Sequence, residues 1–77
     1  MAARNRRLAE LRGDRTQADV AKALHIDRST YAHIENGTRR PSLVLAIKIA
    51  RYYGVPVEEL FSPLDVVTDH RMTGRTA

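Results

Sequence analysis

The 77-residue chain contains no cysteine and no tryptophan, and it has only one phenylalanine. Without cysteine, the chain can form neither a disulfide nor a thiolate zinc site. No window approaches the roughly 20 apolar residues that a membrane-spanning helix requires. The start of the chain, MAARNRRLAEL, lacks the apolar run of a signal peptide. We therefore expect a cytoplasmic protein with no membrane partner.

What the chain does contain is enough apolar residues for a small globular unit, together with an excess of basic charge. Apolar residues make up 43%, which is too many for a disordered chain. A chain this short buries only roughly 60% of its unfolded surface, which predicts one domain with a small core. The net charge is +4 with a pI of about 10.1, and eleven of the thirteen basic residues are arginine. Because the guanidinium fork suits phosphate and guanine, nucleic acid is a candidate partner, as is any acidic surface.

The apolar periodicity and the turn residues predict an all-α fold of five short helices. Thr16, Asp27 and Ser42 are the expected helix N-caps. The predicted helices cover about residues 3–12, 17–24, 28–35, 43–53 and 57–61. They form a domain over residues 1–61, and residues 62–77 form a tail without helical period. Within the tail, residues 64–67 could form a short strand or a hydrophobic arm, and residues 70–77 are expected to be frayed.

Residues 17–36, QADVAKALHIDRSTYAHIEN, read as two helices joined by a tight corner. His25 stands where a left-handed residue is needed, a conformation that glycine adopts more easily but that histidine tolerates better than most residues. In the helix after the corner, Tyr31 and Ile34 face inward, whereas Arg28 and His33 face outward. A helix with one buried face and one donor-bearing face indicates a helix-turn-helix that places this helix in the major groove of DNA.

The outward face of this helix carries the predicted base contacts. Arg28 can form a bidentate pair with guanine O6 and N7, worth about 1–3 kcal/mol of discrimination. Ser29 can donate or accept, Ala32 can touch a thymine methyl group, and His33 can donate to guanine or to phosphate. Alternatively, each of these polar side chains could simply be solvated on a surface helix without contacting DNA.

A second set of residues is expected to hold phosphates and so to fix the register of the protein on DNA. Thr30 could pack inward instead, and the Arg39-Arg40 pair could simply be a solvated loop. Three further arginines in the first helix could either solubilise it or reach DNA: Arg4, Arg6 and Arg7. The predicted phosphate contacts are Gln17, Thr16, Thr30, Asn36, Arg39, Arg40 and Ser42.

The turn, small and apolar positions together resemble a known family. Gln17 opens the second helix, Val20-Ala21 and Leu24 follow, Ile26 sits in the corner, Ile34-Glu35-Asn36-Gly37 closes the third helix, Arg40-Pro41-Ser42 leads into the fourth, and Gly54-Val55 leads into the fifth. This pattern resembles the lambda-repressor-like helix-turn-helix family of bacterial and phage regulators, of the Cro/C1 or xenobiotic-response-element type. The resemblance implies a compact five-helix DNA-binding domain and a transcriptional regulator, typically a repressor.

The resemblance also implies roles for individual residues. The family's base-contacting positions correspond to Arg28, Ser29 and His33. Family members often pair an arginine late in the first helix with the glutamate that matches Glu35. Arg12 is the better candidate for that ion pair, although the short link to the second helix leaves Arg15 open. The chain departs from the family pattern in this short link and in having His25 where glycine is usual.

One such domain covers only about half a turn of groove, so we expect a homodimer on a palindromic operator of nucleoid DNA, with half-sites about 34 Å apart or a multiple of that distance. The candidate dimer surface consists of apolar residues near the end of the chain: Val55, Val57, Leu60, Leu64, Val66 and Val67. The alternative function is an antitoxin or accessory subunit that uses its tail to hold a partner protein.

We expect no metal site, no cofactor and no enzymatic activity. The three histidines, His25, His33 and His70, have no ligand spacing on a common face. Ser29, His33 and Glu35 are close in sequence, but their helical positions do not converge on one point. The chain has no glycine-rich phosphate loop.

Overall fold

The computed structural model describes residues 4–67. Within this range the chain forms five α-helices followed by one 3-10 turn, and it contains no β-strand, so the predicted all-α fold is confirmed. The helices are α1 (Arg6–Arg12), α2 (Gln17–Leu24), α3 (Arg28–Glu35), α4 (Leu43–Tyr53) and α5 (Val57–Leu60), and the 3-10 turn is Pro63–Asp65.

Side-chain caps fix where most of these helices begin. Thr16 Oγ1 accepts from the Asp19 amide at 3.0 Å, and Asp19 Oδ2 accepts from the Thr16 amide at 3.4 Å. Helix α2 therefore starts with a full capping box. Ser42 caps α4 by accepting from the Leu45 amide at 3.1 Å. Asp27 precedes α3 as predicted, but its side chain makes no capping bond, so the expectation of a side-chain cap there was wrong.

The first helix is shorter than the sequence suggested. It begins at Arg6 and not at Ala3, because Asn5 Oδ1 accepts from the Leu8 amide at 3.0 Å and sets the start of the helix. Asn5 Nδ2 also donates to the Leu60 carbonyl oxygen at 2.9 Å, which ties the beginning of α1 to α5. Ala3 itself lies outside the described residues, as do residues 68–77, which include the stretch 70–77 that was expected to be frayed.

All five helices contribute to one small core. The hydroxyl groups of Tyr31 and Tyr53 are 2.7 Å apart, so the hydroxyl end of buried Tyr31 keeps a partner. Burial and this hydrogen bond raise the Tyr31 pKa, which keeps the phenol neutral. The buried apolar residues are Leu8, Val20, Ala21, Leu24, Tyr31, Ile34, Ala46, Ile49, Ala50, Leu60 and Phe61.

After α5 the chain returns to the beginning of α4. Following the Pro63–Asp65 turn, the Val67 amide donates to the Pro41 carbonyl oxygen at 2.8 Å, and the Leu43 amide donates to the Val67 carbonyl oxygen at 3.1 Å. Residues 64–67 do not form the strand that was one of their two predicted alternatives; within the described chain they complete a 3-10 turn and make a single bridge between Ser42 and Val67. The other alternative, a hydrophobic arm, stays a prediction. None of the helices described for residues 4–67 has the length and apolar content that crossing a membrane requires.

The corner between α2 and α3 has the backbone conformation expected from its sequence. His25 adopts φ 61° and ψ 41°, and its amide donates to the carbonyl oxygens of Ala21 and Lys22. The Ile26 amide donates to the Ala21 carbonyl oxygen at 3.0 Å and completes the C-terminal turn. His25 is the one non-glycine residue of the described chain with positive φ.

Replacing His25 with glycine is expected to raise the free energy of unfolding by about 0.5–1 kcal/mol, because glycine adopts this left-handed conformation without a steric penalty from Cβ. Urea unfolding of the two proteins measures the difference. His25→Ala is the matched control, since it removes the imidazole and keeps Cβ; it should give no gain. A loss of stability in His25→Gly would contradict this explanation.

Candidate nucleic-acid interface

The outer face of α3 is the feature from which the candidate site is built. Arg28, Ser29 and His33 are exposed, whereas Tyr31 and Ile34 on the opposite face are buried in the core. Ala32 and Thr30 are half-buried between the two faces. Within residues 4–67, no hydrogen bond or ion pair holds the side chains of Arg28 and Ser29. The first turn of α3 therefore presents donors that the described part of the chain does not use.

A buried ion pair joins the C-terminal end of α3 to α1, on the side of α3 that faces the core. Arg12 donates to Glu35 through Nε to Oε1 and through Nη2 to Oε2, both at 2.9 Å. Glu35 has no solvent-exposed area. Its burial alone would raise the pKa of its carboxyl group, but the hydrogen bonds from Arg12, Tyr31 and Gln17 and the positive charge of Arg12 together outweigh burial, so the pKa is lowered. Glu35 is therefore ionised at neutral pH.

The second candidate for this ion pair, Arg15, has a different place in the structure. Its guanidinium lies 5.3 Å from the ring centroids of both Tyr52 and Tyr53, and its Nη1 donates to the Tyr52 hydroxyl at 3.1 Å. Arg15 is thus held by cation–π contacts at the end of α4. Arg12, meanwhile, uses Nη1 for the Arg15 carbonyl oxygen at 2.8 Å, so it also fixes the link between α1 and α2.

Several predicted phosphate contacts have protein partners as well. Gln17 Nε2 donates to Glu35 Oε2 at 3.3 Å, so this side chain leans towards the buried ion pair. The hydroxyls of Thr16 and Ser42 cap α2 and α4. The amide of Leu43, in the first turn of α4, is occupied by Val67. Such bonds orient these groups, and they leave fewer free donors than the sequence suggested.

The loop after α3 carries the exposed cations of the site. Asn36, Arg39 and Arg40 are all exposed. Arg40 Nη1 donates to the Leu64 carbonyl oxygen at 3.2 Å, so the segment after α5 steadies this guanidinium. Nearby, the Ser62 amide and hydroxyl donate to the Asp65 carboxylate, and these hydrogen bonds lower the pKa of Asp65. The positive charge of Arg40 lowers it further.

The start of α1 extends this basic surface. A groove of about 570 Å³ lies between α1, the loop after α3 and the segment after α5, and its walls carry Arg4, Arg6, Arg7, Arg39 and Arg40. Arg7 is engaged with Glu59, with its Nε 2.8 Å from the carboxylate oxygen. Arg4 lies 3.9 Å from Glu35 and its side chain is 63% exposed. The basic charge of the loop thus continues onto the first helix.

Thr38 is a residue of this site that the sequence did not reveal. Its Oγ1 lies 2.9 Å from Nδ1 of His33 and 3.2 Å from the His33 carbonyl oxygen. A threonine in a polar loop gives no signal of such a contact, because the contact depends on how the chain turns after Asn36.

The residues proposed as a dimer surface fall into two groups. Leu60 is buried in the core, and Val55, Val57 and Val66 are half-buried against it. Leu64 and Val67 remain 82% and 52% exposed. The structure adds exposed apolar residues of α4 that were not predicted, and the first of them bonds Val67 through its amide: Leu43, Val44 and Ile47. The sequence of α4 does indicate exposed apolar residues, because its apolar side chains occupy more than the one face that the core can cover.

Within residues 4–67, no group of three or more His, Asp or Glu side chains comes together as metal ligands do. His33 is exposed on α3, whereas Glu35 points into the core, so these neighbours in sequence lie on different sides of the helix.

Two helices meeting at a tight left-handed corner, with the second fixed by a buried face and exposing a basic one, define the helix-turn-helix class. Comparison with known proteins agrees, because a helix-turn-helix family model matches residues 6–60. The chain belongs to the Cro/C1-type helix-turn-helix family. The resemblance seen in the sequence is thereby confirmed, and so, at the level of the class, is a DNA-binding transcriptional regulator.

Individual relatives are similar over most of the chain. An uncharacterized HTH-type transcriptional regulator of Methanocaldococcus jannaschii is 50% identical over 46 residues, covering 60% of this chain and 70% of that protein. The cryptic phage CTXphi transcriptional repressor RstR of Vibrio cholerae is 34% identical over 62 residues, covering 80% of this chain and 56% of the repressor. The control protein C.MunI of Mycoplasma sp is 37% identical over 60 residues, covering 78% of this chain and 81% of that protein.

A double-mutant cycle tests the energetic coupling of the buried ion pair. Arg12→Met and Glu35→Met should each lower the free energy of unfolding by about 3–5 kcal/mol, because each leaves a buried or partly buried charge without its partner. The double variant should recover much of this loss, since neither charge remains. Urea unfolding measures all four proteins. Losses that simply add in the double variant would contradict the coupling.

Proposed function

We propose that the protein is a sequence-specific regulator of transcription, acting as a repressor, that inserts α3 into the major groove of double-stranded DNA. The observation that carries this proposal is the exposed first turn of α3, whose side chains have no partner within residues 4–67, on a helix whose other face is fixed in the core. The side chains of Arg28 and Ser29 have no competing intramolecular bond in the described chain, so they can meet base edges without breaking one.

In this proposal the residues of α3 divide the recognition between them. Arg28 reads a guanine through O6 and N7, the strongest of the contacts. Ser29 makes a single, less discriminating hydrogen bond. Ala32 touches a thymine methyl group, and His33 meets a base further along the groove. Specificity therefore resides mainly at the N-terminal end of the helix.

The phosphate contacts flank α3 on both sides. Arg39 and Arg40 supply most of the charge, and Arg40 does so from a position supported by Leu64. The groove arginines beside them extend the favourable potential. The other proposed phosphate contacts are Thr16, Gln17, Thr30, Asn36 and Ser42, whose neutral groups fix register.

We propose further that the protein binds a palindromic operator as a homodimer, in the cytoplasm and on nucleoid DNA. Supporting this, Leu64 and Val67 are exposed, as are Leu43, Val44 and Ile47 of α4, and the Leu43 amide bonds Val67. Exposed apolar area of this kind is typical of an interface. Residues 62–67 then serve the dimer surface, while residues up to 61 form the DNA-binding domain. No catalytic step is involved.

The same apolar surface also favours the second candidate, an antitoxin or accessory subunit whose partner is another protein. The molar mass of the free protein separates the two. A dimer at micromolar concentration supports self-association. A monomer that still binds a single half-site, with this surface uncovered, would favour a partner protein.

Arg28→Ala is expected to weaken binding to the selected operator about 5- to 150-fold, as a loss of about 1–3 kcal/mol implies, and to relax one base position. Binding to random duplexes should change little. Arg51→Ala, which removes an exposed arginine near the end of α4, is the matched control. Competition binding measures the ratio of operator to random affinity. An equal loss on both kinds of DNA would contradict the reading role of Arg28.

The double variant Arg39→Ala/Arg40→Ala is expected to bind all sequences more weakly and to reduce the salt slope by up to about two, because it removes two phosphate contacts. Titrations across a range of salt concentrations give the slope. Lys22→Ala/Arg51→Ala has the same net charge but alters exposed residues outside the site, and should leave the slope nearly unchanged. If the two double variants have equal slopes, the loop arginines do not contact phosphates.

A further inference from the structure

We infer that Thr38 selects the tautomer of His33 and thereby determines which base edge His33 recognises. Thr38 Oγ1 makes two contacts, one with His33 Nδ1 at 2.9 Å and one with the His33 carbonyl oxygen at 3.2 Å. The hydroxyl has a single proton, and the carbonyl oxygen can only accept. Both contacts are hydrogen bonds only if the hydroxyl donates to the carbonyl and accepts from an Nδ1–H group.

The opposite assignment loses one of the two bonds. If the Thr38 hydroxyl donated to Nδ1, its oxygen would face the His33 carbonyl oxygen without a proton between them. The loop cannot easily relieve this contact, because the amides of Thr38 and Arg39 also donate to that carbonyl oxygen, at 2.9 Å and 3.2 Å. These backbone bonds hold Thr38 beside the end of α3, where its hydroxyl meets the imidazole.

A neutral imidazole protonated at Nδ1 has a lone pair on Nε2. With Nδ1 committed to the loop, Nε2 is the ring nitrogen that His33 can offer to a ligand, and the residue is exposed. In this tautomer Nε2 accepts a hydrogen bond and cannot donate one. Sequence reasoning had assigned His33 a donor role towards guanine or phosphate, and the contact with Thr38 reverses that role.

The tautomer determines which bases His33 can hydrogen-bond. This step rests on the proposed placement of α3 in the major groove. The donors in that groove are the amino groups of adenine N6 and cytosine N4, whereas guanine presents only acceptors. His33 therefore favours adenine or cytosine over guanine at its position. Thr38 is a positioning residue in this scheme, because it acts on the base only through the imidazole.

The tautomer can be measured without DNA. Nitrogen-15 NMR of the histidine side chains, at a pH of about 8 where imidazoles are neutral, should show His33 with a protonated-type Nδ1 and a pyridine-type Nε2. His33→Gln assigns the signals by removing one set. Thr38→Val, which is similar in shape but lacks the hydroxyl, should populate both tautomers, and Thr38→Ser should retain the wild-type pattern. A wild-type His33 with its proton on Nε2 would overturn the inference, whatever the protein binds.

The base preference is measured at the same pH by selecting sites from random duplexes. His33→Ala identifies the position that His33 contacts, as the one whose preference disappears. There the wild type and Thr38→Ser should prefer adenine or cytosine over guanine by roughly 3- to 10-fold, the value of one hydrogen bond. Thr38→Val should lose that preference or shift it towards guanine.

The possible failures are distinguishable. The expected tautomer with guanine selected at the His33 position would overturn the reading role, while the rest of the site stands. A preference that Thr38→Val leaves unchanged would remove Thr38 from recognition. If no variant, including the wild type, selects any sequence, the proposed function itself fails, and the NMR result still decides whether Thr38 sets the tautomer.

Discussion

The carboxylate of Glu35 is enclosed by the protein, and within residues 4–67 it is the only charged side chain buried in this way. A buried charge without a partner destabilises a protein by several kcal/mol, so the groups around it must keep their positions. Arg12 brings α1 to this carboxylate, and Gln17 brings the start of α2. The Asn5 amide donates to the Glu35 carbonyl oxygen at 2.8 Å. Both α1 and α2 are therefore positioned relative to the last turn of α3.

The buried ion pair is one of three contacts that fix the orientation of α3. The ion pair fixes its C-terminal end, the left-handed turn at His25 fixes its N-terminal end, and Tyr31 and Ile34 fix its inner face. Within residues 4–67, Arg28 and Ser29 at the start of the outer face are then oriented without a side-chain bond of their own, and His33 further along bonds only Thr38 in the following loop. The loop that follows is steadied separately, through Thr38 on one side and Leu64 on the other.

Much of this arrangement follows from local rules. Helix periods, the Thr16 and Ser42 caps and the corner at His25 could be predicted because each depends on a few adjacent residues. The rest depends on contacts between residues distant in sequence. Asn5 makes the first helix begin later than predicted through its own N-cap, and its side chain also bonds Leu60, 55 positions away. The exposed α4 residues, such as Val44, could not be placed because an apolar helix does not reveal which face the core takes.

We propose that the outer face of α3 meets base edges in the major groove, and this contact can be observed residue by residue. The most direct measurement is an NMR titration of isotopically labelled protein with its selected operator duplex, compared with a duplex of unrelated sequence. We expect the operator alone to perturb the side-chain signals of Arg28, Ser29 and His33, and both duplexes to perturb those of Arg39 and Arg40. Perturbations centred on the apolar surface of α4, or identical for both duplexes, would contradict it.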